Sequence, residues 1–517
     1  MKKSIYIGGL VCSLLLGGNS CDTDRLMDMD IPKYMVTDES ADLGMLFTNI
    51  QVEYARRSAL HALRIPAGYA KYYATHSTVM PGDRYQYSQG YGEDPWTTYT
   101  TEGKMVIHLI NTLEKKPDPS NVNNLAILKI LKGAIFSWLT DIYGDIPYAE
   151  AGEAYLENLL YPAYDTQESI YKNILSLLEE ACLSFDENQP VWAEYDAIYK
   201  GNQTKWKKFG YSLMLRMAMR MAAVDPATAR PYAEKAIAAG VILENEDNFQ
   251  LACVDNRNTE RNPVAYGMVY NDPEKYWKLG ADFVEALKDK DPRAKVIFGG
   301  KLKPENPVPN SGIMNTYWFD DEAWNYTVEE QQGYPHGQDV QVTTYELIQK
   351  DYTRPSRYLF DYASPVVRLA AHEMDFCIAK AASLGWNTQG LAAQAMYETG
   401  VRNNMLFYAQ YAGTIEITEE EIESYLAYRP YSAANLSREM WIANYLDPFE
   451  GWFYIRQWGP DLVPNVNGIS MPRRYPYVSS ELTRNTENYM KALSQMGMPA
   501  DVNNEAQFTY RCWWDVR

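Results

Sequence analysis

Three carboxylates, Asp141, Asp145 and Glu150, crowd the stretch LTDIYGDIPYAEA, Leu139 to Ala151. A pair of carboxyl groups at a set separation can hydrolyse a glycosidic bond, so the cluster raises that chemistry first. The same stretch also reads as a helix end. Leu139 and Ile142 close an apolar face, Gly144 permits a left-handed stop, and Pro147 keeps the helix from resuming. In that reading Asp145 bonds backbone N–H groups freed at the turn, and Asp141 pairs with a base of the scaffold. Other catalytic constellations are missing. The five histidines, His61, His76, His108, His336 and His372, have no ligand spacing, and HEMDF from His372 places Phe376 where a zinc protease needs its second His. There is no G-x-S-x-G elbow and no phosphate-cradling loop, and GYGED lacks the last Gly of a dinucleotide turn. With 67 acidic residues, a catalytic carboxylate pair elsewhere stays open.

Non-covalent recognition has a clearer signature. Sugars present patches of C–H groups framed by hydroxyls, which suit rigid aromatic rings beside hydrogen-bonding groups. GDRYQYSQGYGEDPW supplies Asp83, Arg84, Tyr85, Tyr87, Tyr91 and Trp96, and MNTYWFDDEAWNYT supplies Asn315, Tyr317, Trp318, Asp320, Trp324 and Tyr326. The ligand-binding expectation rests on Tyr85, Tyr87, Tyr91, Trp96, Asn315, Tyr317, Trp318, Asp320 and Trp324. The competing role for each ring is to anchor its own loop.

The elements that must position these loops are helical. Apolar residues recur at i, i+3, i+4 and i+7 in Leu125–Ile142, Ile170–Ala181 and Trp206–Met221, each marking one helix face on a core. Further helical stretches are expected over Leu43–Tyr73, Thr228–Ala239, Ala281–Lys288, Val366–Leu384, Leu391–Tyr411, Thr418–Tyr428 and Ser437–Tyr445. Short turns such as DPAT and GWNTQG join neighbours into helix pairs, without a fixed repeat. Four excursions interrupt the pairs: Pro81–Thr101, Asp247–Leu279, Gly299–Pro365 and Pro460–Trp514. They are rich in Gly, Pro, Asn, Tyr and Trp and lack sustained helical period. Loops of this length are functional when they occur in a packed domain. Arg216 and Arg220, one turn apart beside an apolar face, are expected to pair with acids on a neighbouring helix. Arg293 of KDPR is expected to pair structurally after an Asp-Pro turn.

A net charge of −19 over 517 residues argues against nucleic acid as a partner. At the N-terminus, Lys2 and Lys3, an apolar run Ile5–Leu16 and small residues before Cys21 read as an export signal of the lipoprotein kind, with Cys21 as the acylated residue. Asp22, Asp24, Asp28 and Asp30 then form an acidic tether. Cys182 and Cys377 fall in apolar helical patterns and are expected as buried thiols rather than bridges.

The order of motifs resembles the SusD/RagB-like family of outer-membrane nutrient-binding lipoproteins, specifically the SusD-like type 2 subgroup. LTDIYGDIPYAEA is similar to its most recognisable motif. YPAYDTQESIYKNILSLLEEA, GNQTKWKKFGYSLMLRMAMR, KDPR, VVRLAAHEMDFCIAKAASLGWNTQG, MPRRYPYVSSELTRNTENY and a closing WWD follow in order. Lys380 stands where Glu is usual. The resemblance implies a mostly α fold, an irregular tetratricopeptide-like helix-pair scaffold with long loop excursions and little β. It implies residues 1–20 as signal peptide, 21–38 as tether and 39–517 as one domain. It also implies a glycan or peptide ligand, no catalysis and no cofactor, and a SusC-like TonB-dependent transporter as partner at the outer membrane. Bound calcium is left open.

Overall fold

The computed structural model describes residues 42–516 apart from 78–79, 87, 153–158, 257–259, 271–275, 309–316, 339–344, 412 and 460–464. Cys21, the signal segment, the acidic tether, Tyr87 and Asn315 lie outside the described residues, as does the side chain of Tyr91. The chain divides into a unit Met1–Leu43 and a unit Gly44–Arg517, and the second carries everything below.

Helices build that unit, each packed on its neighbour in sequence: Lys104–Lys115, Val122–Tyr143, Gln167–Leu183, Gln203–Met221 and Pro226–Ala239. A second pair, Ala371–Ser383 and Ala393–Phe407, packs on the first through Gln203–Met221. Their ends follow from local chemistry. Thr166, Asn202 and Asp225 each accept the backbone N–H three residues on, in the helices they start. Thr418 and Glu421 form a reciprocal capping box before Glu419–Tyr428. Gly144 stops the longest helix with φ +80°. Gly210 lets two helices touch, since a Cβ there would lie 2.5 Å from the Cys182 sulfur.

Strand content among the described residues is four two-stranded antiparallel ribbons, one of which pairs Phe249–Leu251 with Val366–Leu369. This corrects the helical expectation over Val366–Leu384. The β-branched pair Val366–Val367 enters the ribbon, and the helix begins at Ala371. Leu43–Tyr73 divides into Leu43–Arg56, Ala59–Arg64 and Pro66–Tyr69. The breaks fall at Ser58, which has φ +59°, and before Pro66, which cannot donate a helical hydrogen bond. Pro460–Trp514, expected without helical period, contains Ser479–Arg484, Thr486–Gln495 and Asn504–Gln507.

Most of the aromatic surplus sits inside. Trp206, Trp318, Trp324, Trp441, Trp452 and Trp514 are among the largest fully buried side chains. Tyr69 meets Trp452, Tyr475 and Phe508 edge to face at 5.3–6.4 Å. Cys182 and Cys377 are buried free thiols. Lys380 is half-buried with its ammonium 5.8 Å from the Trp458 ring, and burial lowers its pKa. No described helix is long and apolar enough to cross a membrane.

Candidate functional site

The opening carboxylates divide into separate structural tasks. Asp141 is buried at the centre of an ion network. One oxygen takes Arg220; the other accepts the Tyr171 hydroxyl and, at 2.7 Å, the Trp514 indole N–H. Arg220 also binds Glu450, and Arg216, one turn earlier, binds Glu373. The expected pairing of both arginines is therefore realised, with Glu373 contributed by HEMDF. His372 packs edge-on against Phe407 and is pushed down to about 3 by burial, so it stays neutral. Asp145 accepts the N–H of Gln167, at the start of the next helix rather than in its own turn. Glu150 accepts the N–H of Ala163. Arg293 is fully buried between Asp291 and Glu439. Among the described residues no group of three His, Cys, Asp or Glu side chains is placed to hold a metal ion.

The two aromatic loops present different rings from those with the largest predicted role. Trp96 is buried, stacked on Tyr99 at 4.7 Å and edge-on to Tyr143. Tyr85 is buried, edge-on to Tyr69, with the Lys71 ammonium 5.1 Å from its ring. Trp318 and Trp324 enclose the guanidinium of Arg354, at 4.2 and 3.8 Å from their ring centres. Arg354 donates to the carbonyls of Gly299 and Trp318. These four rings hold their loops to the scaffold, because a large apolar ring gains most by full burial. Tyr317 is half-buried against the Leu302–Trp324 cluster, and its carbonyl accepts the Trp324 indole N–H. Asp320 is exposed and caps the short turn Asp321–Ala323.

The first loop is fixed by Asp83. Its carboxylate accepts the Thr75 N–H at 2.8 Å, and its carbonyl accepts the Gly337 N–H at 3.1 Å. Burial raises its carboxyl to about 7, against a partial offset from Arg84. A carboxyl raised in the folded state binds protons more tightly there, so stability falls as pH rises and the penalty is complete above about 7. The wild type should therefore gain about 3 kcal/mol more than Asp83→Asn between pH 8 and pH 4.5. Parallel urea-unfolding profiles for the two proteins over that range would show that Asp83 carries no such burden.

A different set of rings reaches solvent. Asn262 caps Pro263–Ala265, and the chain continues as the widened turn Tyr266–Tyr270. Tyr270 lies flat on Tyr362, with centroids 3.8 Å apart and planes at 19°, and Phe319 approaches Tyr270 at 5.7 Å. Phe319 is 44% exposed and Tyr266 38%. Around these faces stand polar groups. Arg261 lies 3.9 Å from the Tyr266 ring, Tyr270 donates to Asp361 at 3.0 Å, and Arg357 holds Asp321 through two hydrogen bonds. Those bonds, with others from Tyr358 and Tyr326, pull the Asp321 carboxyl down to about 2, which unsuits it to act as a general acid. The first loop borders the same region. Ser58 donates to Asp94, and neighbouring Leu60 packs so close to Gly267 that a Cβ there would lie 2.1 Å from it.

The model of the SusD-like type 2 family, described as starch-binding and associating with the outer membrane, matches residues 35–478. The chain belongs to the SusD-like family. A chitin-binding protein is 25% identical, with TM-score 0.76, over 92% of this chain and 99% of its own. A SusD homolog from Bacteroides uniformis is 24% identical (TM-score 0.72; 92% and 99% covered). A chitin-binding SusD homolog from Flavobacterium johnsoniae is 22% identical (TM-score 0.71; 91% and 97% covered). A search of curated proteins gives no match. The likeness secures the mostly α, helix-pair fold anticipated from the sequence.

Tyr266, Tyr270, Tyr362 and Phe319 lie outside the residues that the sequence predicts to bind ligand, Phe319 standing beside the larger Trp318. The available signal was NPVAYGMVY, with tyrosines four apart in an excursion already marked as unusual.

Proposed function

We propose that this SusD-like protein captures an oligosaccharide at the surface of the outer membrane on the platform of Phe319, Tyr270 and Tyr266. It then delivers the sugar unchanged to a SusC-like TonB-dependent transporter. The observation that carries the reading is the set of solvent-facing rings bordered by Arg261, Arg357 and Asp361. Such rings stack on the C–H faces of a sugar while the polar rim takes its hydroxyls. The family description and the chitin-binding relatives support a glycan, and chito-oligosaccharides are the first to test. In the same reading residues 1–20 direct export, Cys21 carries the lipid, residues 21–38 form the tether and 39–517 the binding domain. No cofactor is needed for capture.

Titration calorimetry against a glycan panel, with product analysis, tests this. Binding without release of reducing ends is expected. Phe319→Ala should weaken it by about fivefold to tenfold, with stability changed by no more than about 0.5 kcal/mol, as for an exposed side chain. Turnover that a single Asp or Glu substitution abolishes would overturn the carrier reading. Saturation by peptides at this platform, with no response to any glycan, would overturn the ligand class.

A further inference from the structure

A second recess, sharing no lining residue with the platform, lies between the segment Leu159–Ala163 and the helix Ser479–Arg484. Its volume is about 390 Å³, enough for a small organic ligand. Ile107, Phe136 and the ring of Tyr99 form an apolar floor, and Leu160, 65% exposed, forms one rim. The rim is held in place. Asn485 donates to the carbonyl of Pro162 at 2.8 Å, Asn488 to that of Tyr161 at 3.0 Å, and the Ala163 N–H bonds Glu150. Leu160 is thus kept largely exposed by a fastened backbone.

The charges are sorted by depth. Glu481 is half-buried in the recess and accepts the Tyr164 hydroxyl at 3.0 Å. No cation lies within ion-pair distance of it among the described residues; burial raises its carboxyl pKa, against smaller offsets from Tyr164, Asn485 and the more distant Arg484. The Tyr99 hydroxyl, close enough to Glu481 for that carboxylate to raise its pKa further, has no hydrogen-bond partner among the described residues. Arg484 and Lys104 are exposed at the mouth. An acid with no ion-pair partner inside, an apolar floor and bases at the mouth suit a primary ammonium beside an apolar side chain, with an anion a residue or more further along the chain.

We propose that this recess binds the free amino-terminal end of a short peptide with an apolar first residue. The ammonium sits against Glu481 and the Tyr99 hydroxyl, the first side chain lies on Ile107 and Phe136, and the peptide carboxylate faces Arg484 and Lys104. A partly desolvated carboxylate gains more from a cation than one in water, which is where the selectivity for a free amine would come from. The site is independent of the glycan platform, and neither proposal requires the other.

The test is calorimetric titration of the purified chain at pH 7 with leucyl-leucine, N-acetyl-leucyl-leucine and the disaccharide of glucosamine. Leucyl-leucine should saturate a single site, and acetylation or Glu481→Gln should each weaken it by about tenfold or more, as expected for losing a charged hydrogen bond. Thr100→Trp, placed on the exposed rim, should abolish binding by filling the recess without touching the core. Phe319→Ala should leave it unchanged, which separates this site from the platform. No saturation by leucyl-leucine up to about 10 mM, equal binding of the acetylated peptide, or preference for the glucosamine disaccharide would each overturn the assignment.

Discussion

Asp141→Ala should destabilise the protein by about 3–5 kcal/mol, the cost of removing one partner from a buried ion pair. The substitution leaves the Arg220 guanidinium, 2% exposed, with Glu450 alone, and strips the acceptor from both Tyr171 and Trp514. Burial disfavours the Arg220 cation, but a guanidinium stays protonated and Glu450 remains beside it, so it cannot escape by losing its proton. Asp141→Asn keeps a carbonyl for the indole N–H and should recover part of the loss. Chemical denaturation of the three proteins measures this, and a change below about 1 kcal/mol for Asp141→Ala would show that the network contributes no net stability.

The second large effect is expected at Trp318. Trp318→Ala should cost about 3–5 kcal/mol, as a buried large-to-small change does. The indole is fully buried, packed edge-on to Trp324 and against the Arg354 guanidinium. Arg354 has no carboxylate of its own within ion-pair distance among the described residues, and burial lowers its pKa to about 10. Its cation therefore depends on carbonyls, the Tyr326 hydroxyl and the two ring faces. Thermal melts of Trp318→Ala beside Phe319→Ala make the comparison. Neighbouring rings should behave oppositely, the first losing stability and the second losing ligand. A Trp318→Ala protein that melts like the wild type yet no longer binds glycan would return Trp318 to the ligand face.

The scaffold was legible in the sequence because helix pairing is a local affair. Leu125–Ile142 and Trp206–Met221 display their apolar faces in the spacing itself, and Thr418 with Glu421 announces a helix start three residues apart. Arg216 and Arg220 could be assigned acids in general, since charges beside an apolar face need partners. Their particular acids could not be read, as Glu373 and Glu450 stand 157 and 230 residues away. The platform was harder for a related reason. In adjacent residues Trp318 and Phe319, ring size favours the tryptophan for stacking, yet the larger ring is the one with more to gain from burial. Only the meeting of Tyr266–Tyr270, Phe319 and Tyr362, from three distant segments, decides which faces stay wet.

The link between Asp141 and Trp514 joins positions 373 residues apart. Until Trp514 and Cys512 arrive, Asp141 and Arg220 are committed to an interior that is missing its closing wall. A polypeptide cut short of residue 512 would hold its helix pairs but keep an open, charged cleft at their centre. Truncation before residue 512 should thus make the purified chain more open to a protease than the full-length chain.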